Sequence, residues 1–364
     1  MNRNLESRAD FDAAVAGGSL VDAFLESLDL RDRGGALRSV PVRGAVFLGC
    51  LLTEADAAFL TEAGALIFPT LPNLPFNPYR PDLYRPEELY EGLAGGYRAT
   101  TDARIYRWFV SHARPGDLAA ELACTLHDHA IAESLEEELA ERDPRLTVGI
   151  MGGHALRRDS ADYAEAATLA HALAAAGRLV VTGGGPGAME AGNLGAAFSG
   201  DVASLREALN ELAAVAGWRH VDEWAQAAFA VRARWELTRP SLGIPTWFYG
   251  HEPPNAFANR IAKFFSNAVR EDTLLRLCRG GLVFLPGAAG TVQELFQSVT
   301  PNYYAPDETA VAPLVLLGRD FWTRTVPAWD LIATLARDRP MASHVHLVDT
   351  AEEAVGLLTA GPTT

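Results

Sequence analysis

GLVFLPGAAGTVQEL, residues 281–295, is the stretch from which the rest of the chain is read. Its first four residues form a short apolar run of the length and character of a buried strand. Proline and glycines then break the run, and residues 291–295 open a helix. A strand, a glycine-rich turn and a helix N-terminus in that order gather unpaired backbone N–H groups and the positive end of the helix dipole at one place. Such a place suits an anion, above all a phosphate. Glu294, one turn into the helix, then stands near whatever carries that anion. The same residues support a purely local reading, because Thr291-x-x-Glu294 is also a capping box that needs no ligand.

Upstream, residues 146–151 (LTVGIM) read as a strand followed by GGH at 152–154, residues 163–176 as an alanine-rich helix, and residues 178–182 (RLVVT) as the next strand. GGGPGAMEAGNLGAA, residues 183–197, is a second glycine loop running into a helix. Downstream, strands are expected at 313–317 and 344–348 and helices at 322–336 and 351–358. Strands that alternate with helices predict an α/β fold, a doubly wound parallel, Rossmann-like sheet with ligands at the carboxyl ends of its strands. Residues 201–234 read as two helices inserted before a strand at 245–249 (PTWFY), and a further helix is expected to carry Arg260, Lys263 and Arg270. The catalytic domain is placed at 144–364, with its helical insertion at about 201–240.

Residues 1–143 are expected to form an accessory N-terminal domain. It shows a helical pattern at 11–30, a small βαβ unit over 42–68 and a proline- and tyrosine-rich loop at 71–92, and a long helix at 117–141 leads out of it. Within that helix His127-Asp128-His129 has metal-ligating residue types. Positions i and i+2 on a helix diverge by about 200°, so the cluster reads as a solvated face. His344 and His346, expected on one face of a strand, read as edge residues.

Composition narrows the function classes. The chain has 364 residues with a formal net charge of −15, which disfavours nucleic acid as a partner. No apolar run reaches the length of a membrane span and the N-terminus lacks an apolar signal core, so no membrane partner and a cytoplasmic location are expected. Cys50, Cys124 and Cys278 are scattered without metal spacing, and no metal site is expected. Thirty of the 31 basic residues are arginine; Lys263 is the single lysine. A homodimer or higher homo-oligomer is expected, with the loop at 71–92 and the helices of 201–234 as candidate contacts.

The two glycine loops are individually weak signals. Gly183, Gly185 and Ala188 even fit a dinucleotide pattern, but the acidic residue such a site needs about twenty positions later is missing, since Asp201 begins a helix. Together, about a hundred residues apart in one doubly wound domain, they resemble the lonely-guy (LOG) phosphoribohydrolases and the larger bacterial nucleotide 5′-monophosphate nucleosidases, a family often mislabelled as lysine decarboxylases. The resemblance rests on Gly183, Gly184, Gly185, Gly187 and Met189 in the first loop and on Pro286, Gly287, Gly290, Thr291 and Glu294 in the second, with GGH and EPPN (252–255) in addition. It covers roughly residues 144–360.

The resemblance implies hydrolysis of the N-glycosidic bond of a nucleoside 5′-monophosphate, AMP-like or a cytokinin ribotide, without a cofactor. Glu294 and Arg270 would be catalytic, with Arg260 and Arg276 as the other arginines to weigh. Gly184, Gly185, Gly187, Met189, Glu190, Gly287, Ala288, Ala289, Gly290, Thr291, Gly153 and His154 would bind the nucleotide and its phosphate. Ala288 stands where the family has glycine, and a positive φ there would be strained. A non-catalytic nucleotide-binding protein on the same fold is the alternative. A lysine decarboxylase would need a Schiff-base lysine, for which Lys263 is the sole candidate.

Overall fold

The structure is a computed structural model that describes residues 3–112, 117–250 and 252–360. Its internal contacts divide the chain into two units. One comprises residues 1–83 and 110–134, the other residues 84–109 and 135–364.

In the first unit, β1 (Arg3–Leu5), β2 (Ala23–Glu26), β3 (Val46–Leu48) and β4 (Leu66–Phe68) form a parallel sheet in sequential order. The expected βαβ unit is its second half. The helical pattern expected at 11–30 is instead helix Arg8–Ala16 followed by β2. Ser7 starts that helix with a capping box to Asp10, and Phe11, Leu25, Phe47 and Leu60 are fully buried between sheet and helices. The solvated-face reading of the long helix, Leu118–Leu139, is overturned at two positions. His127 is wholly buried, edge-on to Phe76 at 5.3 Å, and Asp128 is buried beside it; only His129 is exposed.

The second unit holds a seven-stranded parallel sheet built from β5 (Thr147–Met151), β6 (Leu179–Thr182), β7 (Ser241–Gly243), β8 (Arg260–Ile261), β9 (Gly281–Phe284), β10 (Leu314–Leu317) and β11 (Val345–Val348). Its order is β11-β10-β9-β5-β6-β7-β8. The chain adds β6, β7 and β8 on one side of β5 and then returns to add β9, β10 and β11 on the other. The topological switch therefore lies between β5 and β9, where doubly wound sheets open a crevice at the strands' carboxyl ends. Helices Ala161–Ala175 and Ala188–Ala197 pack on the sheet; Val148, Ile150, Val180, Val283 and Val315 are among the residues of the core they enclose. Alanine and glycine dominate the second helix, which lets it lie close to its neighbours.

Two expectations around the sheet fail for local reasons. The strand placed at 245–249 is really β7 at 241–243, because Pro245 has no N–H to give to a ladder. Trp247, which suggested a strand, stacks on Phe265 at 4.6 Å and donates to Asp102. The helix expected to carry Arg260, Lys263 and Arg270 carries only the last. Arg260 is in β8, and the helix begins after the Ser266 cap, at Asn267–Leu277. His344 ends a 3-10 turn ahead of β11, so His344 and His346 do not share a strand face. Among the described residues no group of His, Cys, Asp or Glu side chains could hold a metal ion, and no helix is long and apolar enough to cross a membrane.

Candidate functional site

β6, β5 and β9 are neighbours, so the loops at their carboxyl ends meet. Gly153, after β5, donates its N–H to Pro286 O at 3.1 Å, and Ala188 N–H donates to Gly153 O at 3.1 Å. The GGH loop is thus stitched to both glycine loops at once.

The first loop turns through Gly184 (φ +72°) and Gly187 (φ +70°). A side chain is strained at such angles, and space forbids one as well. A Cβ would stand 2.6 Å from Pro245 Cδ at Gly184 and 2.5 Å from Gly153 O at Gly187. Met189 closes back over this loop, its sulfur and methyl lying against Gly183 and Gly185.

A buried polar clamp holds the loop from beneath. Thr182 Oγ1 accepts from Gly184 N–H at 3.0 Å and donates to Asn193 Oδ1 at 2.7 Å. Asn255, from the EPPN segment, donates its Nδ2 to Gly185 O at 3.1 Å and to Asn193 Oδ1 at 2.8 Å, while its own N–H donates to Gly184 O. Asn193 completes its bonding with Ser241 Oγ and Leu242 O. Sequence reasoning singled out neither Thr182 nor Asn193. The available signal was an asparagine in the middle of an alanine–glycine helix, a polar group with no reason to be there unless it is bonded.

The second loop reaches its helix without a side-chain cap. Ala288 is the N-cap residue, at φ −103° and ψ −156°, and the helix is Ala289–Tyr303. Two expectations are settled by this. Ala288 is not at positive φ, so alanine there carries no backbone strain. Thr291 lies inside the helix, not at its start, so Thr291 and Glu294 form no capping box. Gly287 faces the Thr291 side chain so closely that a Cβ would be 2.2 Å from Thr291 Oγ1, whereas nothing lies within 4 Å of a Cβ at Gly290.

Glu294, freed from capping, is bound by Arg270, whose Nη1 donates to its Oε1 at 3.1 Å. Both side chains are about nine-tenths buried. Asn267 Oδ1 accepts from Arg270 Nη2 at 2.9 Å, and the Asn267 amide and Gln293 both donate to Glu271, which lies 3.6 Å from Arg270. Arg270 Nε is buried without a partner among the described residues, and Nη1 lies 3.8 Å from where a Cβ on Gly183 would be. The guanidinium therefore stands between the first glycine loop and Glu294. Burial pushes the Glu294 carboxyl above its ordinary value; Arg270 pulls it back and the Glu271 charge adds to the rise. The other arginines weighed from sequence lie elsewhere, Arg260 with Glu138 and Arg276 with Glu136.

Two predicted contacts are placed differently from one another. Glu190 is not open to a ligand: Arg158 grips both of its oxygens, at 2.5 and 3.1 Å, with both side chains 1% exposed and Trp224 under the guanidinium at 4.9 Å. It ties the β5 loop to the first glycine helix. His154 is half exposed at the rim, its Nδ1 2.9 Å from Glu252, whose other oxygen lies near Gly185; this hydrogen bond raises the His154 pKa against the opposing effect of burial. His251, at the start of HEPPN, lies outside the described residues.

Lys263 is fully buried. Its ammonium donates to Asp102 at 2.7 Å, faces Trp247 at 5.0 Å, and is lowered in pKa by burial against the pull of Asp102. Asp102 also accepts from Tyr97 OH at 2.6 Å. An amine so enclosed and occupied does not fit a Schiff-base role.

The sequence model of a family described as "Possible lysine decarboxylase" matches residues 226–358, roughly a third of the chain, which include Arg270 and the whole second glycine loop. No curated protein matches the chain. Among solved structures, the chain is similar to the molybdenum cofactor binding protein from the phototrophic bacterium Rippkaea orientalis, at 16% identity and a TM-score of 0.36 over 59% of this chain and 95% of that one. It is similar also to the molybdenum cofactor carrier protein of Chlamydomonas reinhardtii, at 18% identity and a TM-score of 0.36 over 59% and 98%.

Proposed function

We propose that the protein hydrolyses the N-glycosidic bond of nucleoside 5′-monophosphates, releasing free base and ribose 5-phosphate. The observation that carries this reading is the buried Arg270–Glu294 pair, set at the sheet's switch point between two glycine loops. A carboxylate held there by a single arginine, with its second oxygen uncommitted to any described side chain, suits a cation that forms and vanishes during reaction.

The chemistry asks for little else. As the bond from C1′ to the base nitrogen breaks, its electron pair leaves with the base and the ribose ring becomes positively charged. The Glu294 carboxylate stabilises that charge and orients the water that attacks C1′. One water proton passes to the departing base, directly or through solvent, and the hydroxyl remains on ribose 5-phosphate. The phosphate rests on the backbone N–H groups that open the helix at Ala289–Thr291, against the turn at 184–187. It holds the ribose in register, so that binding energy far from C1′ is used at C1′. Arg270, with its free Nε, binds oxygen atoms of the substrate and keeps Glu294 ionised. Glu190, paired inward, positions the first loop and does not contact the nucleotide.

Incubation with a panel of nucleoside monophosphates and the matching nucleosides, followed by chromatography of the bases, tests the proposal. Base is expected from the monophosphates and not from the nucleosides. Nucleotide binding without base release at high protein concentration would sink the enzymatic reading and leave a nucleotide-binding module.

A further inference from the structure

The second unit has a concavity at the other end of its sheet, near the amino ends of β6, β7 and β8, where Leu179, Ser241 and Arg260 begin their strands. It measures about 520 Å³, within the range of small-molecule sites. Four arginines line it, Arg85, Arg142, Arg232 and Arg260, against two carboxylates, Glu87 and Glu138. This is a local excess of positive charge in a chain whose net charge is −15.

The charges are not all spent on one another. Arg232 pairs with Glu87 and donates to Ala256 O at 2.8 Å, and Arg260 pairs with Glu138 at 3.3 Å. Arg85 and Arg142 have no ion-pair partner among the described residues. Paired arginines on a surface are ordinary solvated ion pairs. Arg85 is exposed and Arg142 half-buried, so two further guanidinium groups face the cleft's solvent without a counter-charge among the described residues and are open to an anion that enters. The walls also offer Ser241, Thr238 and Asn259 as neutral hydrogen-bonding groups, while the flanking Leu179, Leu237 and Pro240 leave room for an apolar portion.

We propose that this cleft is a second ligand site, for a compact polyanion carrying at least two phosphate-like charges, separate from the site at the glycine loops. Arg85 and Arg142 bind its charges from opposite chain segments, and the Arg232 and Arg260 pairs fix the walls. Planar guanidinium groups that donate in pairs suit phosphate oxygens better than single ammonium groups do.

Calorimetric titration with inorganic pyrophosphate tests this on three proteins: the parent, the double variant Arg85→Ala/Arg142→Ala, and Gly290→Ala, which alters the other phosphate cradle. The parent is expected to bind. The double variant should bind at least about tenfold more weakly, since each substitution removes charge-assisted hydrogen bonds. Its melting temperature should stay near the parent's, because neither arginine has an internal ion pair to lose. Gly290→Ala should leave this binding unchanged. No binding by the parent at millimolar pyrophosphate, or a double variant that binds like the parent, overturns the proposal; so does loss confined to Gly290→Ala, which would place the anion at the glycine loops. The titration requires no catalytic turnover, so its outcome is independent of base release.

Discussion

Two glycines three residues apart in the second loop predict opposite behaviour when replaced by alanine. Gly290 is in the first turn of a helix, and a Cβ there meets nothing within 4 Å. Glycine in a helix costs about 0.5–1 kcal/mol relative to alanine, so nothing inside the protein explains its presence. Gly290→Ala is therefore expected to stabilise the second unit by up to about 1 kcal/mol, or about 2–4 °C in melting temperature for a domain of this size. If a phosphate sits on the open helix end, the new methyl intrudes on it and weakens binding of nucleoside monophosphates. Gly287→Ala does the reverse inside the fold. Its Cβ would lie 2.2 Å from Thr291 Oγ1, 2.6 Å from Thr291 Cβ and 3.0 Å from Cγ2. Rotating the threonine cannot move its own Cβ, so the loop and the helix end must separate by roughly 1 Å. Overpacking of this kind costs about 1–3 kcal/mol, and a shift of about 1 Å at a reacting centre can lower a rate about a hundredfold.

The assay is a thermal melt with and without AMP, alongside kcat/KM for base release. The expected pattern is a higher melting temperature with lost nucleotide response for Gly290→Ala, and a lower melting temperature with lost activity for Gly287→Ala. A Gly290→Ala protein that is more stable and still responds to AMP as the parent does would refute the placement of phosphate on this helix end.

Other perturbations separate the roles of the buried ion pairs. Glu294→Gln keeps the shape and removes the charge, and should lower kcat by about 10²–10³, the usual loss when one transition-state electrostatic partner is removed; a Gln variant as active as the parent would exclude the carboxylate mechanism. The acid limb of the pH–rate profile should lie above the ordinary glutamate value of 4.5, because burial raises the Glu294 pKa and the proposed mechanism uses the ionised form. Arg270→Gln removes the group that opposes this rise, so the limb should move higher still; a limb that stays in place would detach Arg270 from Glu294. The sign for stability is opposite. Folding favours protonated Glu294, so its contribution is fully present below 4.5 and declines as pH rises through the elevated value. Arg158→Met leaves Glu190 charged and buried and should cost about 3–5 kcal/mol, whereas Arg158→Met/Glu190→Met should recover much of that loss in a denaturant titration. Lys263→Met should destabilise for the same reason, by leaving Asp102 without its ammonium, yet base release per folded molecule should be preserved; loss of turnover in a folded Lys263→Met protein would reopen an amine mechanism.

β5, β6, β9, β10, β11 and both glycine loops were legible in the sequence, because their signals are local, whereas β7 was placed a few residues late and β8 was read as helix. An apolar run, a glycine turn and a helix start follow one another within fifteen residues. Arg270 and Glu294 were named as site residues only through family resemblance, and their pairing was not read at all, since it joins two helices across the end of a strand and no spacing announces it. What the sequence hid has a common physical cause: polar residues look solvated until their partners are known. His127-Asp128 read as a surface face and is interior; Glu190 read as a ligand contact and is sealed by Arg158; Thr291 and Glu294 read equally well as a cap. Each ambiguity was resolved by where one partner lay, 32 and 24 residues away in sequence for the last two. For Glu294 the consequence is chemical. A capping glutamate would have had its carboxylate hydrogen-bonded to its own helix's N–H groups, whereas the observed one faces a single arginine in a buried setting, the arrangement on which the proposed stabilisation of a ribosyl cation rests.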